Sequence, residues 1–122
     1  AENIADFAKS IIEREIFLDE DTVKELDGIY ELIKRGFALS IDALSTGDQV
    51  KVQQAIQIER DVDKLKIEVR DKYMKRMNKG IASAESGIFV MDLLSNLERV
   101  SDHFRNIAET VERLKRPVIV TE

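Results

Sequence analysis

The chain has 122 residues, of which 19 are Lys or Arg and 24 are Asp or Glu, so its formal charge is −5. This length suits one domain, and a hydrophobic content of 43% is enough to form a core without a disulfide or a structural metal. The absence of Cys excludes thiolate metal sites, the acidic balance argues against nucleic acid as a partner, and no apolar run reaches the roughly 18 residues that would suggest a membrane span.

The N-terminal 18 residues predict a short connecting helix. Apolar residues follow helical spacing through the stretch NIADFAKSII, at Ile4, Phe7, Ala8, Ile11 and Ile12. A stripe this short is unstable alone in water, so we expect it to dock on another surface. We assign residues 1–18 to this helix, 19–117 to a helical bundle and 118–122 to a C-terminal tail.

Three longer amphipathic segments follow it. The first ends at Gly47, the second ends at Gly80, and Pro117 stops the third. The residues expected to face the core are Val23, Leu26, Tyr30, Ile33, Phe37, Ile41 and Leu44 in the first segment, Ile58, Val62, Leu65, Val69 and Tyr73 in the second, and Phe89, Leu93, Leu97, Val100, Phe104, Ile107 and Val111 in the third. Short connections make neighbouring helices antiparallel. The sequence therefore predicts an all-α fold, an antiparallel three-helix bundle with a short additional N-terminal helix.

Carboxylates recur four residues apart on the second and third segments. The oxygen-bearing side chains are Glu59 and Asp63 on the second, and Glu98, Asp102 and Asn106 on the third. A turn near Gly80 would place Glu59 level with Asp102. Asp63 would then lie level with Glu98. Four carboxylates in two layers resemble the oxygen-rich ligand sets of hard cations.

A second interpretation of the same carboxylates stays open. With 35% charged residues, acidic pairs on solvated faces are expected, and Arg99 and Arg105 could each neutralise Asp102. A helical wheel also places Glu98 and Asp102 nearly opposite the expected core, so we expect them to face solvent or a partner. A shared cation site would then require a tilted helix pair or a second molecule.

The stretch MDLLSNLERVSDHFRNIAETVERL, residues 91–114, resembles the signature of PhoU-type domains, whose closing helix carries a Leu-Glu-Arg-(Ile/Val)-x-Asp-His-x-x-Asn-Ile-Ala-Glu run. NKG followed by SAESG and DLLSNLERVSDH is more particularly similar to the cytoplasmic tail domain of bacterial sodium/phosphate cotransporter proteins. The resemblance covers about residues 20–115. It implies three-helix bundles that regulate phosphate uptake at the membrane by contacting transport or sensor proteins.

The resemblance also implies divalent metal, such as iron, zinc or nickel, held by Glu/Asp-x-x-x-Asp motifs. By position these ligands would be Glu59, Asp63, Glu98 and Asp102, with Asn106 alongside. The chain departs from the pattern in two ways. Standalone PhoU proteins carry two such bundles in tandem, whereas this chain holds one, so a homodimer or oligomer is expected to supply the second. Ser101, Phe104 and Arg105 stand where the family often has Gly or small residues. The charge of Arg105 lowers metal affinity or replaces the metal.

Three functional hypotheses follow. The first is a non-enzymatic PhoU-like domain that controls phosphate transport as the cytoplasmic part of a sodium/phosphate cotransporter. Its partner would be the membrane-bound transporter portion, in the same chain or in a complex, and its location the inner face of the cell membrane. The second is a purely structural helical dimerisation module without metal. The third is a metal-dependent hydrolase, since paired carboxylates can hold two cations, although the sequence offers no credible base for it.

Overall fold

A computed structural model describes residues 18–118 of the protein. The predicted N-terminal connecting helix, apart from its last residue, and residues 119–122 of the predicted tail lie outside the described residues. The described part forms three helices, α1 (Glu20–Thr46), α2 (Gln49–Asn78) and α3 (Ala84–Leu114). Each helix packs against the other two, and residues 18–118 contain no strand. The predicted all-α three-helix bundle is confirmed.

Local side-chain chemistry sets the helix ends. An oxygen-bearing side chain accepts a hydrogen bond from a first-turn N–H at each helix start, and these capping residues are Asp19, Asp48 and Ser83. α1 stops at Gly47, which adopts the left-handed conformation at φ +73° that a glycine tolerates best. Beyond α3, the Val118 N–H donates to the Leu44 carbonyl at 2.8 Å. The chain therefore returns from α3 to the end of α1.

The buried faces of α1 and α3 are rotated by about one residue from the predicted stripes. The buried positions are Thr22, Leu26, Ile29, Ile33, Gly36, Ser40 and Ala43 in α1, and Ser86, Gly87, Phe89, Val90, Leu94, Ser101, Phe104, Ala108 and Val111 in α3. The prediction that Val23, Ile41 and Val100 face the core is wrong, because they are 49%, 51% and 38% exposed. Small residues occupy the centre of the contact, where they let the helices approach, and hydrophobicity alone does not detect them.

The contact between α1 and α3 is organised around Phe104, which is fully buried. A Cβ atom added to Gly36 would lie only 2.5 Å from Cζ of the Phe104 ring, so the ring fills the space that this glycine leaves open. The Ser40 hydroxyl donates to the Phe104 carbonyl at 2.9 Å. The Phe37 ring meets the Phe104 ring edge-on, with 5.6 Å between centroids. One aromatic residue therefore joins the two helices.

Gly36→Ala should destabilise the bundle, because its methyl group would enter the volume of the Phe104 ring. The overpacking cost of about 1–3 kcal/mol exceeds the roughly 0.5–1 kcal/mol that Ala gains over Gly inside a helix. Gly28, on the same helix, is the matched control, since a Cβ there meets nothing within 4 Å. In urea unfolding, Gly28→Ala should raise the free energy of unfolding and Gly36→Ala should lower it. The same sign for both variants would contradict the tight contact.

Candidate functional site

Polar contacts across the α2–α3 hairpin show how the predicted site is assembled. From the turn outward, the contacting pairs are Tyr73 with Ser86, Lys66 with Glu98, Glu59 with Arg105, and Gln53 with Glu112. The Tyr73 hydroxyl donates to Oγ of Ser86 at 2.6 Å, close to the turn. These pairs lie within about one helical turn of the level that a turn near Gly80 predicts. The two acidic motifs therefore lie side by side, on neighbouring helices.

The buried face of α3 is rotated relative to the predicted one, so the acidic residues of this helix point in a different direction from the one expected. Because Ser101 is buried at the centre of the helix contact, Glu98 lies on the flank of α3 that faces α2. Glu98 is therefore closer to α2 than the helical wheel predicts, although its side chain still reaches solvent. Its side chain is 43% exposed, and its carboxylate contacts Lys66. Asp102, one turn further along, is exposed as expected.

Glu59 is the most buried of the four carboxylates Glu59, Asp63, Glu98 and Asp102, which we call the acidic group. Its side chain is 5% exposed, and its Oε2 accepts a hydrogen bond from Nη1 of Arg105 at 2.7 Å. Burial raises the pKa of Glu59 above its ordinary value; the charge of Arg105 opposes this rise, and the charges of Asp63 and Asp102 add to it. Arg105 also donates through Nε to Glu109 at 2.8 Å. Its guanidinium thus joins α2 to α3, and the hydrogen bond to Glu109 and the charge of Glu59 raise its pKa.

Lys66 provides a second cation within the acidic group. Its Nζ lies 2.7 Å from Oε1 of Glu98 and 3.4 Å from Oδ1 of Asp63, and its side chain is 17% exposed. Burial lowers the pKa of Lys66, but the hydrogen bond to Glu98 and the charges of Glu98 and Asp63 outweigh it, so the pKa is raised. The sequence predictions missed Lys66. Its position three residues after Asp63 on one helix face is the signal that could have found it.

Comparison with known proteins gives the family. A family model described as the PhoU domain matches residues 26–111. The chain belongs to the PhoU domain family. The matched span includes most of the three helices and both acidic motifs, and it confirms the predicted PhoU resemblance. The narrower similarity to the tail domain of sodium/phosphate cotransporters stays a prediction.

Members of the PhoU family are regulatory and non-enzymatic. No curated protein and no solved structure matches this PhoU domain. Over residues 18–118, no helix combines the length and apolar character that crossing a membrane requires. Membership of this family therefore supports a role in phosphate regulation.

The metal ligands expected of a PhoU domain are arranged differently here. A hard cation requires several converging oxygens, whereas Arg105 and Lys66 already lie against these carboxylates. Within the described part of the chain, no three His, Asp or Glu side chains are grouped so that they could hold a metal ion. In this arrangement the residues do not fit a divalent metal. The assignment of metal ligands stays a prediction for Glu59, Asp63, Glu98, Asp102 and Asn106.

Two of the predicted residues lie at the outer edge of the group. Asp102 and Asn106 are both exposed, and the Asn106 backbone carbonyl accepts the Thr110 hydroxyl at 2.9 Å. The alternative expectation is that Arg99 or Arg105 neutralises Asp102. Arg105 instead donates to Glu59 and Glu109, because the helix rotation directs it towards α2. Asp102 acts on the group through its charge, which helps to raise the pKa of Glu59.

Proposed function

We propose that this PhoU domain regulates phosphate transport by docking on the membrane-bound portion of a sodium/phosphate cotransporter, in the same chain or in a complex. The domain itself performs no chemistry and lies at the inner face of the membrane. The family match and the motifs NKG, SAESG and DLLSNLERVSDH support this proposal. The structural observation that carries it is an apolar surface on the outer side of α1 and α3.

Two rows of apolar residues form this surface, which we call the α1–α3 face. They are Val23, Tyr30, Phe37 and Ile41 of α1, and Leu93, Val100, Ile107 and Leu114 of α3. The α1 row lies beside α3, because Phe37 contacts Phe104 and the other members share its side of the helix. The α3 row lies on the flank opposite Glu98 and Arg105, which contact α2. The two rows therefore border the same side of the bundle.

The α1–α3 face is only partly covered. Val23, Ile41, Val100 and Leu114 are exposed by about two-fifths to one-half, and the other members are half-buried. Exposed apolar side chains gathered on one side of a domain are typical of sites where another protein binds. The residues that sequence patterning assigned to the core therefore supply, in part, a surface for a partner.

The proposed regulation uses this contact as a switch. Phosphate status is relayed as a change in how the bundle docks, and this requires two docking states of unequal affinity. Residues 4–12, which lie outside the described residues, are proposed to join the domain to the membrane protein and to act as its lever. The α1–α3 face is the surface that binds in one state and is released in the other.

Ile41→Glu in the intact transporter tests this function. A charge on the α1–α3 face should weaken docking, so phosphate uptake, or its response to external phosphate, should change. Ile67→Glu is the matched control, because Ile67 is a similarly exposed isoleucine on α2, outside the α1–α3 face. Uptake is measured in phosphate-rich and phosphate-starved cells, and thermal unfolding verifies that both variants fold. Uptake by the Ile41 variant that equals that of the unaltered protein under both conditions would refute the proposal.

The α1–α3 face also fits the dimerisation module, the second candidate function. In that case a second copy covers the same surface, as expected if another subunit supplies the second bundle of a tandem PhoU protein. Sedimentation velocity on the same two variants separates the candidates. Loss of self-association in the Ile41 variant, with unchanged phosphate uptake, would favour the dimerisation module over transport regulation.

A further inference from the structure

The acidic group between α2 and α3 contains its own cations. Arg105 lies 2.7 Å from Glu59, and Lys66 lies 2.7 Å from Glu98 and 3.4 Å from Asp63. Three of the four carboxylates that the PhoU resemblance assigns to metal are therefore in contact with a basic side chain of the same chain. Both cations connect the two helices, and a bridging metal would do the same.

We propose that Lys66 and Arg105 take the place of divalent metal in this PhoU domain. The native acidic group then binds divalent cations only weakly, and α2 and α3 are held together without metal. Removing the two cations frees carboxylate oxygens that they now occupy and removes two positive charges, so divalent cations should bind more tightly. This proposal does not depend on the docking function proposed above.

The first reason why Lys66 and Arg105 exclude a metal is that they already use the hydrogen-bonding oxygens of the carboxylates. Ammonium and guanidinium groups donate to carboxylate oxygens, and a metal would need the same lone pairs as ligands. The Glu59 carboxylate is almost fully buried and is bound by Arg105, so this oxygen ligand is already used. Lys66 uses an oxygen of Glu98 in the same way and lies near one of Asp63.

The second reason why Lys66 and Arg105 exclude a metal is their positive charge. The four carboxylates Glu59, Asp63, Glu98 and Asp102 carry four negative charges, and two of these are balanced by the internal cations. A divalent ion entering the group would be repelled by two positive charges that are themselves partly shielded from water, and such repulsion is stronger than at an open surface. Of the two cations, Lys66 has the less exposed side chain, at 17% against 38% for Arg105.

Titration of the chain with MnCl₂ and with ZnCl₂, followed by calorimetry, tests the proposal. The double variant Lys66→Gln/Arg105→Gln should bind these ions at least about tenfold more tightly than the native chain, because it loses both repulsive charges. Lys64→Gln/Arg99→Gln is the matched control. It removes the same charges from exposed positions on the same two helices and should bind as weakly as the native chain.

A third variant identifies the ligands. Asp102→Ala, added to Lys66→Gln/Arg105→Gln, should remove the gained affinity, since Asp102 is one of the four carboxylates and its charge acts on Glu59. If the double variant does not fold, Lys66→Gln alone replaces it, because this change leaves the buried pair of Glu59 and Arg105 intact. Native binding as tight as that of the cation-deleted variant would overturn the proposal, as would equal gains in that variant and in its control.

Discussion

Phe104→Ala should lower the free energy of unfolding by about 3–5 kcal/mol, the range for removing a large buried aromatic side chain. The ring is fully buried between α1 and α3, and it fills the space beside Gly36. Gly36 has no side chain with which to fill the space that the ring leaves, so part of the cavity should persist beside it. The hydrogen bond from Ser40 survives, since it is accepted by the backbone carbonyl of residue 104. The loss should therefore be one of packing.

Urea unfolding followed by circular dichroism measures this loss. His103→Ala is the control, because His103 is the exposed neighbour of Phe104 on α3 and its removal should change stability by no more than about 0.5 kcal/mol. A loss below about 1 kcal/mol for the Phe104 variant would contradict the central role of the ring. An equal loss for both variants would point instead to a general weakening of α3.

Arg105→Gln should lower the free energy of unfolding by about 1–3 kcal/mol at neutral pH, because Glu59 then stays buried without its cation. The range lies below that of a fully buried pair, since Arg105 is partly exposed and water screens it. Glu59→Gln/Arg105→Gln should recover most of the loss, because no buried charge remains. Arg99→Gln, an exposed change on the same helix, is the control. A double variant no more stable than Arg105→Gln alone would contradict this account.

The effect of Arg105→Gln should also depend on pH. The pKa of Glu59 is raised in the folded protein by burial, even with Arg105 present, and by the charges of Asp63 and Asp102. A carboxyl with a higher pKa in the folded chain than in the unfolded chain binds its proton more tightly when folded, so its charged form costs stability. This cost is present above the raised pKa and disappears below the ordinary glutamate pKa of about 4.3. Without Arg105 the cost increases.

The stability difference between the native chain and the Arg105 variant should therefore shrink as the pH falls from 7 towards 4. Urea midpoints at several pH values measure the difference directly, and the Arg99 variant controls for the general effect of losing one positive charge. Asp19 acts in the opposite direction in all three proteins, since its pKa is lowered and it loses stabilising charge in acid. That contribution cancels in the comparison. A difference that stays constant with pH would show that Arg105 does not act through the charge of Glu59.

The three helices, their ends and their antiparallel order were predictable from the sequence. Helical spacing of apolar residues, a glycine at 47 and a proline at 117 are local signals, and they act through backbone geometry that needs no distant contact. The side-by-side placement of the two acidic motifs was also predictable. A short hairpin leaves α2 and α3 little freedom to shift along each other, so residue numbers alone set their approximate level.

Tertiary packing decided which face of each helix is buried. Apolar side chains occupy two adjacent rows on α1 and α3, and hydrophobicity predicts the row with the larger residues. The bundle instead buries the row that contains Gly36 and Ser40, because small residues let the Phe104 ring and the α1 backbone come together. This rotation leaves Ile41 and Val100 exposed and turns Glu98 and Arg105 towards α2.

The content of the candidate site depends on the same rotation. The sequence shows which carboxylates recur four residues apart, but the burial of Glu59 and its pairing with Arg105 require α2 and α3 to meet in this orientation. Lys66 acquires its contact with Glu98 for the same reason. Spacing along one helix determines which side chains share a face, whereas their partners are set by close packing between helices, which depends on the shapes of all the residues at the contact.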